Sequence, residues 1–189
     1  MDRVRCAYGA NRVSAALFVD GAALSIDLKR KGGVVDLVGL VSWVESVAGP
    51  LVVRYWFDAT MDGAPNAFHS AAARAGGFRL KIHPQSPRTL YGIDGRQMPA
   101  IKQVGVDVGL AVHAIRSIDR DRWDTLVLVA GDGDFYPLAE YLVEQRGVRL
   151  IVLGSPETSS PMLTSYATTA YRVSSVISKI SRPFLSVAV

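Results

Sequence analysis

The most constraining stretch of the chain is residues 126–135, LVLVAGDGDF. Residues 126–129 form an uninterrupted apolar run, the pattern of a strand buried on both faces. The run breaks at Ala130-Gly131, and two carboxylates follow, Asp132 and Asp134, with Gly133 between them. Residues 135–145 read as a helix, so the acids occupy a turn at the carboxyl end of a strand. In open α/β sheets that edge is where ligands bind. Two acids held this close repel each other unless a cation or a proton relieves them, and the flanking glycines let the backbone bend sharply. A helix cap needs only one aspartate, and this turn presents two.

The same punctuation recurs along the chain. Residues 15–19 read as a first strand ending in Asp20-Gly21, and 51–57 (LVVRYWF) as a second followed by Asp58. Residues 78–83 (FRLKIH) alternate like a half-exposed strand, and 148–153 (VRLIVL) form a further one. Between them, helices are expected over 24–31, 35–47, 65–75, 101–118, 136–145 and 162–170. Trp43 falls among Leu37, Leu40, Val41, Val44 and Val47, on a packing surface. Strands alternating with helices imply an α/β/α sandwich, a mostly parallel sheet covered on both faces. A leader is expected over 1–13, one domain over 14–180 and a tail over 181–189, with an edge strand somewhere after Arg172.

Residues 84–99 contain Arg88, Tyr91 and Arg96 around an Asp94-Gly95 centre, which suggests a hairpin or a loop. Interleaved basic and aromatic residues suit a nucleotide chain, although an ordinary surface hairpin has the same composition. His83, just before Pro84, reads as a loop residue rather than a ligand.

At 189 residues, 49% hydrophobic and 20% charged, this is a globular chain long enough to bury a core. The single cysteine, Cys6, excludes an intramolecular disulfide and offers no zinc framework, which points to a reducing, cytoplasmic compartment. No apolar stretch approaches the roughly 20 residues needed to span a membrane. The apolar run near the amino terminus is interrupted too soon by Asp20 for a secretory signal. The net charge is +4 and the pI about 9.4, a mild bias toward polyanions.

Asp20, Asp132 and Asp134 all fall at strand carboxyl ends, and Asp107, near a helix start, can reach the same rim. The apolar neighbours of Asp107 suggest that it points inward. Carboxylates converging without intervening Lys or Arg call for a hard divalent cation, Mg²⁺ or Mn²⁺. Two such ions about 3.5–4 Å apart activate water and stabilise the leaving oxygen of a phosphodiester. His113 lies six residues beyond Asp107, on a different helical face, and is a candidate ligand or supporting donor.

FVDG at 18–21, GVDVGLAV at 105–112 and LVAGDGDF at 128–135, in this order, resemble the NYN domain family. Within it they look like the LabA/DUF88-like branch of the PIN-like nuclease superfamily, over roughly 17–173 by element order. The resemblance implies a PIN-like, Rossmann-like sandwich and a metal-dependent ribonuclease, with Asp20, Asp107, Asp132 and Asp134 matching the family's acidic positions. Lys102 approximates a basic position before the second motif, and with Arg88 and Arg96 it is a candidate phosphate contact. RNA, single-stranded or structured, is the expected partner; a homo-oligomer stays open and a membrane is not expected.

Three positions depart from the family pattern: Ala23 where Asn is usual, His113 where an acid is usual, and Ala130 where Ser is common. They keep open a second reading, a non-catalytic RNA-binding or protein-interaction module on the same fold. A third, an aspartate-nucleophile phosphatase of the haloacid-dehalogenase type, needs a second acid two residues after the nucleophile. Ala22 stands there, against it.

Overall fold

The computed structural model describes residues 14–91, 96–155 and 159–184. The expected leader, the Asp94-Gly95 turn and the end of the tail lie outside the described residues. Nine strands are seen among the described residues: β1 (Ala15–Asp20), β2 (Gly33–Val35), β3 (Leu51–Thr60), β4 (Arg79–Tyr91), β5 (Gln97–Gln103), β6 (Thr125–Val129), β7 (Arg149–Gly154), β8 (Thr169–Arg172) and β9 (Ser181–Pro183). The helices are α1 (Gly21–Arg30), α2 (Leu37–Ala48), α3 (Ala67–Gly76), α4 (Val106–Ser117), α5 (Tyr136–Glu140), α6 (Pro161–Thr164) and α7 (Val173–Ile180). Wider turns extend α4 over Ile118–Arg122 and α5 over Tyr141–Gln145.

Seven strands form one sheet in the order β5-β4-β3-β1-β6-β7-β8, parallel throughout except for β5, while β2 and β9 pair separately. From β1 the chain builds outward through β3 and β4, then returns to the other side of β1 with β6. The order therefore reverses between β1 and β6, the kind of switch point where open α/β sheets form a ligand crevice at their strand ends.

Period-two alternation divides the strands' side chains between two cores. Phe18, Phe57, Leu126, Leu128, Leu150 and Val152 pack with Leu110 of α4, Leu138 of α5 and Leu163 of α6. Leu17, Val19, Trp56, Val127, Val129 and Ile151 pack with Leu28 of α1, Leu40 of α2, Ala72 of α3 and Val176 of α7. Residues 15–18 and 126–128 have no exposed surface at all, as an apolar run covered on both sides requires. This is the expected three-layer sandwich. Among the described residues no helix is long and apolar enough to cross a membrane.

Several boundaries differ from expectation. The helix expected from 101 begins at Val106, because residues 97–103 pair with β4 and extend the sheet edge. Residues 79–91 are one long strand, and with β5 they form an antiparallel hairpin whose tip is outside the described residues. The helix expected over 162–170 stops at Thr164, since Thr169–Arg172 joins β7 in parallel. After Arg172 comes a helix, α7, before the short strand β9 closes on β2. Sheet pairing, invisible in a local apolar pattern, decided each of these. Trp43 does pack, edge-on against Tyr171 at 5.3 Å.

Gly39 of α2 brings that helix against the backbone of α7, and a Cβ there would collide with the Lys179 carbonyl oxygen. Gly39→Ala is expected to destabilise the fold by about 1–3 kcal/mol, read from the shift in urea midpoint. Ser42→Ala, on the exposed side of α2, should stay within about 0.5 kcal/mol.

Candidate metal centre

Asp20 ends β1 and caps α1, its Oδ1 accepting the Ala23 N–H at 3.0 Å. The residue after it has to be glycine, since a Cβ on Gly21 would run into the indole of Trp56. Burial pushes the Asp20 carboxyl up from 3.8 to about 6, partly offset by the Ala23 N–H, and the carboxylates of Asp107 and Asp58 push in the same direction as burial. A carboxyl raised first by burial and further by two neighbouring carboxylates holds a negative charge that its surroundings do not compensate.

Across the switch point, β6 delivers Asp132 and Asp134. Asp132 turns its Oδ1 back to accept the Asp134 N–H at 3.0 Å, capping the single turn Gly133–Phe135. Capping thus occupies Asp132 in part, while the Asp134 carboxylate accepts no hydrogen bond among the described residues. Ser160 holds the turn by donating its N–H to the Gly131 carbonyl at 2.9 Å.

Asp107 lies in the first turn of α4, entered through Gly105 at φ +82°, a conformation that favours glycine. Contrary to the inward orientation expected from its neighbours, Asp107 is exposed, and Val106, Leu110 and Ala114 form the buried side of the helix. Its carboxyl is nonetheless partly shielded from water, which raises the Asp107 pKa first; the carboxylates of Asp132 and Asp134 raise it further, and His83 and Lys102 oppose them. Asp107 therefore feels Asp20 on one side and the Asp132–Asp134 turn on the other.

A family model settles what this arrangement belongs to: the NYN domain matches residues 14–174. The chain belongs to the NYN domain family. Its fold resembles that of a protein of unknown function from Vibrio parahaemolyticus, with TM-score 0.63 and 22% identity, covering 85% of this chain and 92% of that one. MurG of Acinetobacter baumannii overlaps more loosely, with TM-score 0.45 and 8% identity over 86% of this chain and 42% of that one. No curated protein matches the sequence.

Within the NYN domain, none of Asp20, Asp107, Asp132 and Asp134 forms an ion pair with a described Lys or Arg. Among the described residues, no three His, Cys, Asp or Glu side chains come together closely enough to hold an ion. The donor set still fits a hard divalent cation: all oxygens, mutually repelling, unpaired with Lys or Arg.

The other candidate residues divide. Lys102 of β5 lies close enough to lower the Asp107 pKa. Arg88 and Arg96 sit on the exposed hairpin. His113 does not join the acids. Its Nδ1 is 2.8 Å from the Gly109 carbonyl, and its ring packs on Tyr55 and Phe57 at 5.6 Å. Burial lowers its pKa, and the positive charges of Lys81, Arg116 and Arg120 act in the same direction, so a cation there is disfavoured. Among the positions that depart from the family pattern, Ala23 supplies only its backbone N–H to Asp20, and Ala130 is buried at the end of β6.

Two residues matter that the sequence alone did not place at the site. Asp58 lies inside β3, one residue beyond the Phe57 that pairs with Asp20, and His69 holds it at 3.1 Å. His83 is a strand residue, not a loop residue, and lies against Gly109 and the charge of Asp107. In the sequence Asp58 follows the apolar run 51–57 as Asp20 follows 15–19, which is the signal that marks it, although β3 continues to Thr60.

Raising a carboxyl from 3.8 to about 6 costs the ionised form on the order of 3 kcal/mol. The folded state binds this proton more tightly than the unfolded one, so the contribution of Asp20 to stability falls as pH rises from about 4 to about 6. Asp20→Asn keeps a capping oxygen and removes the charge. It should raise the metal-free melting temperature by several degrees at pH 7.5 and leave it nearly unchanged at pH 4, measured by calorimetry.

Proposed function

We propose that this NYN domain is an Mg²⁺- or Mn²⁺-dependent endoribonuclease of the LabA/DUF88-like branch. The observation that carries the reading is the position of Asp107, coupled to Asp20 across one side of the switch point and to Asp132 and Asp134 on the other, with none of these acids ion-paired to a described Lys or Arg. An RNA phosphodiester brings negative charge to a rim that is already negative, which only bound divalent cations reconcile. Asp20, Asp107, Asp132 and Asp134 would hold the metal, which supplies charge neutralisation and an activated water.

The residues of the chain divide the remaining work. Asp20, rigid at the end of a buried strand, fixes the position of one donor, and the capped turn fixes that of Asp132. Lys102 provides positive charge beside Asp107 for an incoming phosphate. The hairpin of β4 and β5 presents Arg88 and Tyr91 in the open, Tyr91 being 70% exposed, as a path for a strand of RNA.

A second reading, RNA binding without turnover, is favoured by the spacing of the acids, no three of which come together closely enough to hold an ion, and by the alanines at 23 and 130. The two separate on one assay. With Mn²⁺ or Mg²⁺ and structured or unstructured RNA, the wild type is expected to cleave internally, and Asp132→Asn to lose roughly 100-fold or more in rate with an unchanged circular dichroism spectrum. Salt-sensitive RNA binding with no cleavage under any metal favours the second reading. Cleavage that persists unchanged in Asp132→Asn, or in excess EDTA, overturns the mechanism.

A further inference from the structure

A cavity of about 450 Å³ opens beside the acid rim, within the size range of small-ligand sites. Asp58 and Ala22 both line it; Ala22 lies two residues after Asp20, and Asp58 follows the Phe57 that pairs with Asp20, so cavity and rim adjoin. Phe68 of α3 and Ile26 of α1 give it apolar walls, and the ammonium of the exposed Lys29 lies at its edge. Phe68 is held by the indole of Trp56 at 5.3 Å in an edge-on contact, which fixes its ring.

The polar groups are specific in what they have left to give. The Asn66 N–H donates to His69 Nδ1 at 3.1 Å, so the His69 proton sits on Nε2 and is donated to Asp58 Oδ2. Asp58 Oδ2 also accepts from the Trp56 indole at 3.4 Å, and its Oδ1 accepts the Ala59 N–H at 2.8 Å. A carboxylate has about four acceptor sites, so Asp58 keeps one to offer. Gln85 spends its Nε2 on the Ala59 carbonyl at 3.0 Å and has its Oε1 left to accept. Gln103, the cross-strand partner of Gln85, has no side-chain hydrogen bond to a described residue and brings an amide donor to the same cavity. Two neighbouring acceptors beside a donor are the complement of the Watson–Crick edge of guanine, whose N1–H and N2–H₂ donate next to an accepting O6. Cytosine and adenine offer one donor group on that edge, and uracil one N–H.

We propose that this cavity is a nucleobase subsite that takes one unstacked guanine of an RNA strand. Asp58 and Gln85 accept from the base, Gln103 donates to it, and Phe68 gives it an apolar surface. Single-stranded RNA is read in this way elsewhere, by aromatic contact combined with hydrogen bonds to a splayed base. The proposal rests on the ribonuclease reading for its substrate class, and it adds where sequence preference enters: at a base next to the phosphate on the acid rim.

The test is calorimetric titration of the metal-free protein with guanosine, adenosine, cytidine and uridine 5′-monophosphates, repeated on Gln103→Ala and Phe68→Ala. Saturable binding of the guanosine nucleotide ahead of the other three is expected. Phe68→Ala should weaken it roughly 5- to 100-fold, and Gln103→Ala should erode the preference for guanosine. Gln103 is half-buried at the end of the edge strand β5 and makes no side-chain hydrogen bond to a described residue, so its variant keeps the test valid if Phe68→Ala unfolds. Absence of saturable guanosine nucleotide binding, or equal binding of all four nucleotides unaffected by Gln103→Ala, overturns the subsite. RNA cleavage by the same wild-type preparation separates the two claims. Metal-dependent cleavage without guanosine nucleotide binding removes the subsite and leaves the nuclease, whereas nucleotide binding without cleavage does the reverse.

Discussion

Pairing of β1 with both β3 and β6, in a sheet covered on both faces, is the constraint on which the molecule depends. Both strands are apolar and their side chains are buried, so each must stop where the first charged residue appears. That residue is Asp20 after β1, and it is Asp132, beyond Ala130-Gly131, after β6. The carboxylates are therefore delivered to one edge by the same hydrophobic burial that holds the sheet together. The position of the acids at the switch point between β1 and β6 needs no separate structural cause.

Holding the acids there has an electrostatic consequence. Asp20 is driven toward neutrality chiefly by loss of water, with Asp107 and Asp58 adding to the effect. Asp107 is raised by burial and by the two acids of the Asp132–Asp134 turn. Local backbone donors hold two of these groups in place: the Ala23 N–H on Asp20 and the Asp134 N–H on Asp132. The basic groups acting on Asp107, His83 and Lys102, come from the edge strands β4 and β5 rather than from the sheet centre. Positive charge thus stands at the border of the rim, where a phosphate chain would arrive, and not among the donors.

The edge hairpin and α3 give the rim its asymmetry. On the β3 side the acid pattern continues to Asp58, but there the carboxylate is engaged by His69, Trp56 and Ala59 and closes a cavity instead of extending the rim. On the β6 side, the 133–135 turn leaves Asp134 outward with no such partners. One pattern, an aspartate after an apolar run, therefore serves two purposes within a single NYN domain, distinguished only by what the neighbouring elements place around the carboxylate.

Much of this was legible in the sequence because burial has a local signature. The runs at 15–19 and 126–129 announce strands covered on both faces, and the acids that follow them announce their own place at the carboxyl edge of the sheet. Asp20, Asp132 and Asp134 needed nothing more than that. Asp107 was legible as a member of the rim but not in its orientation, because its face of α4 depends on how that helix packs. The apolar Val108 beside it is 68% exposed. The extent of β5, the strand β8 and the isolation of His113 among Tyr55 and Phe57 were not legible. Each depends on a partner outside its own segment, across a hairpin for β5 and distant along the chain for β8 and His113, and local periodicity carries no information about it. The sequence by itself determined the sandwich and its acidic edge, since hydrophobic runs and the charges that end them are local properties. Tertiary structure alone decided which acids face one another and which, like Asp58, are bound into a cavity, since that choice is made by contacts between elements distant along the chain.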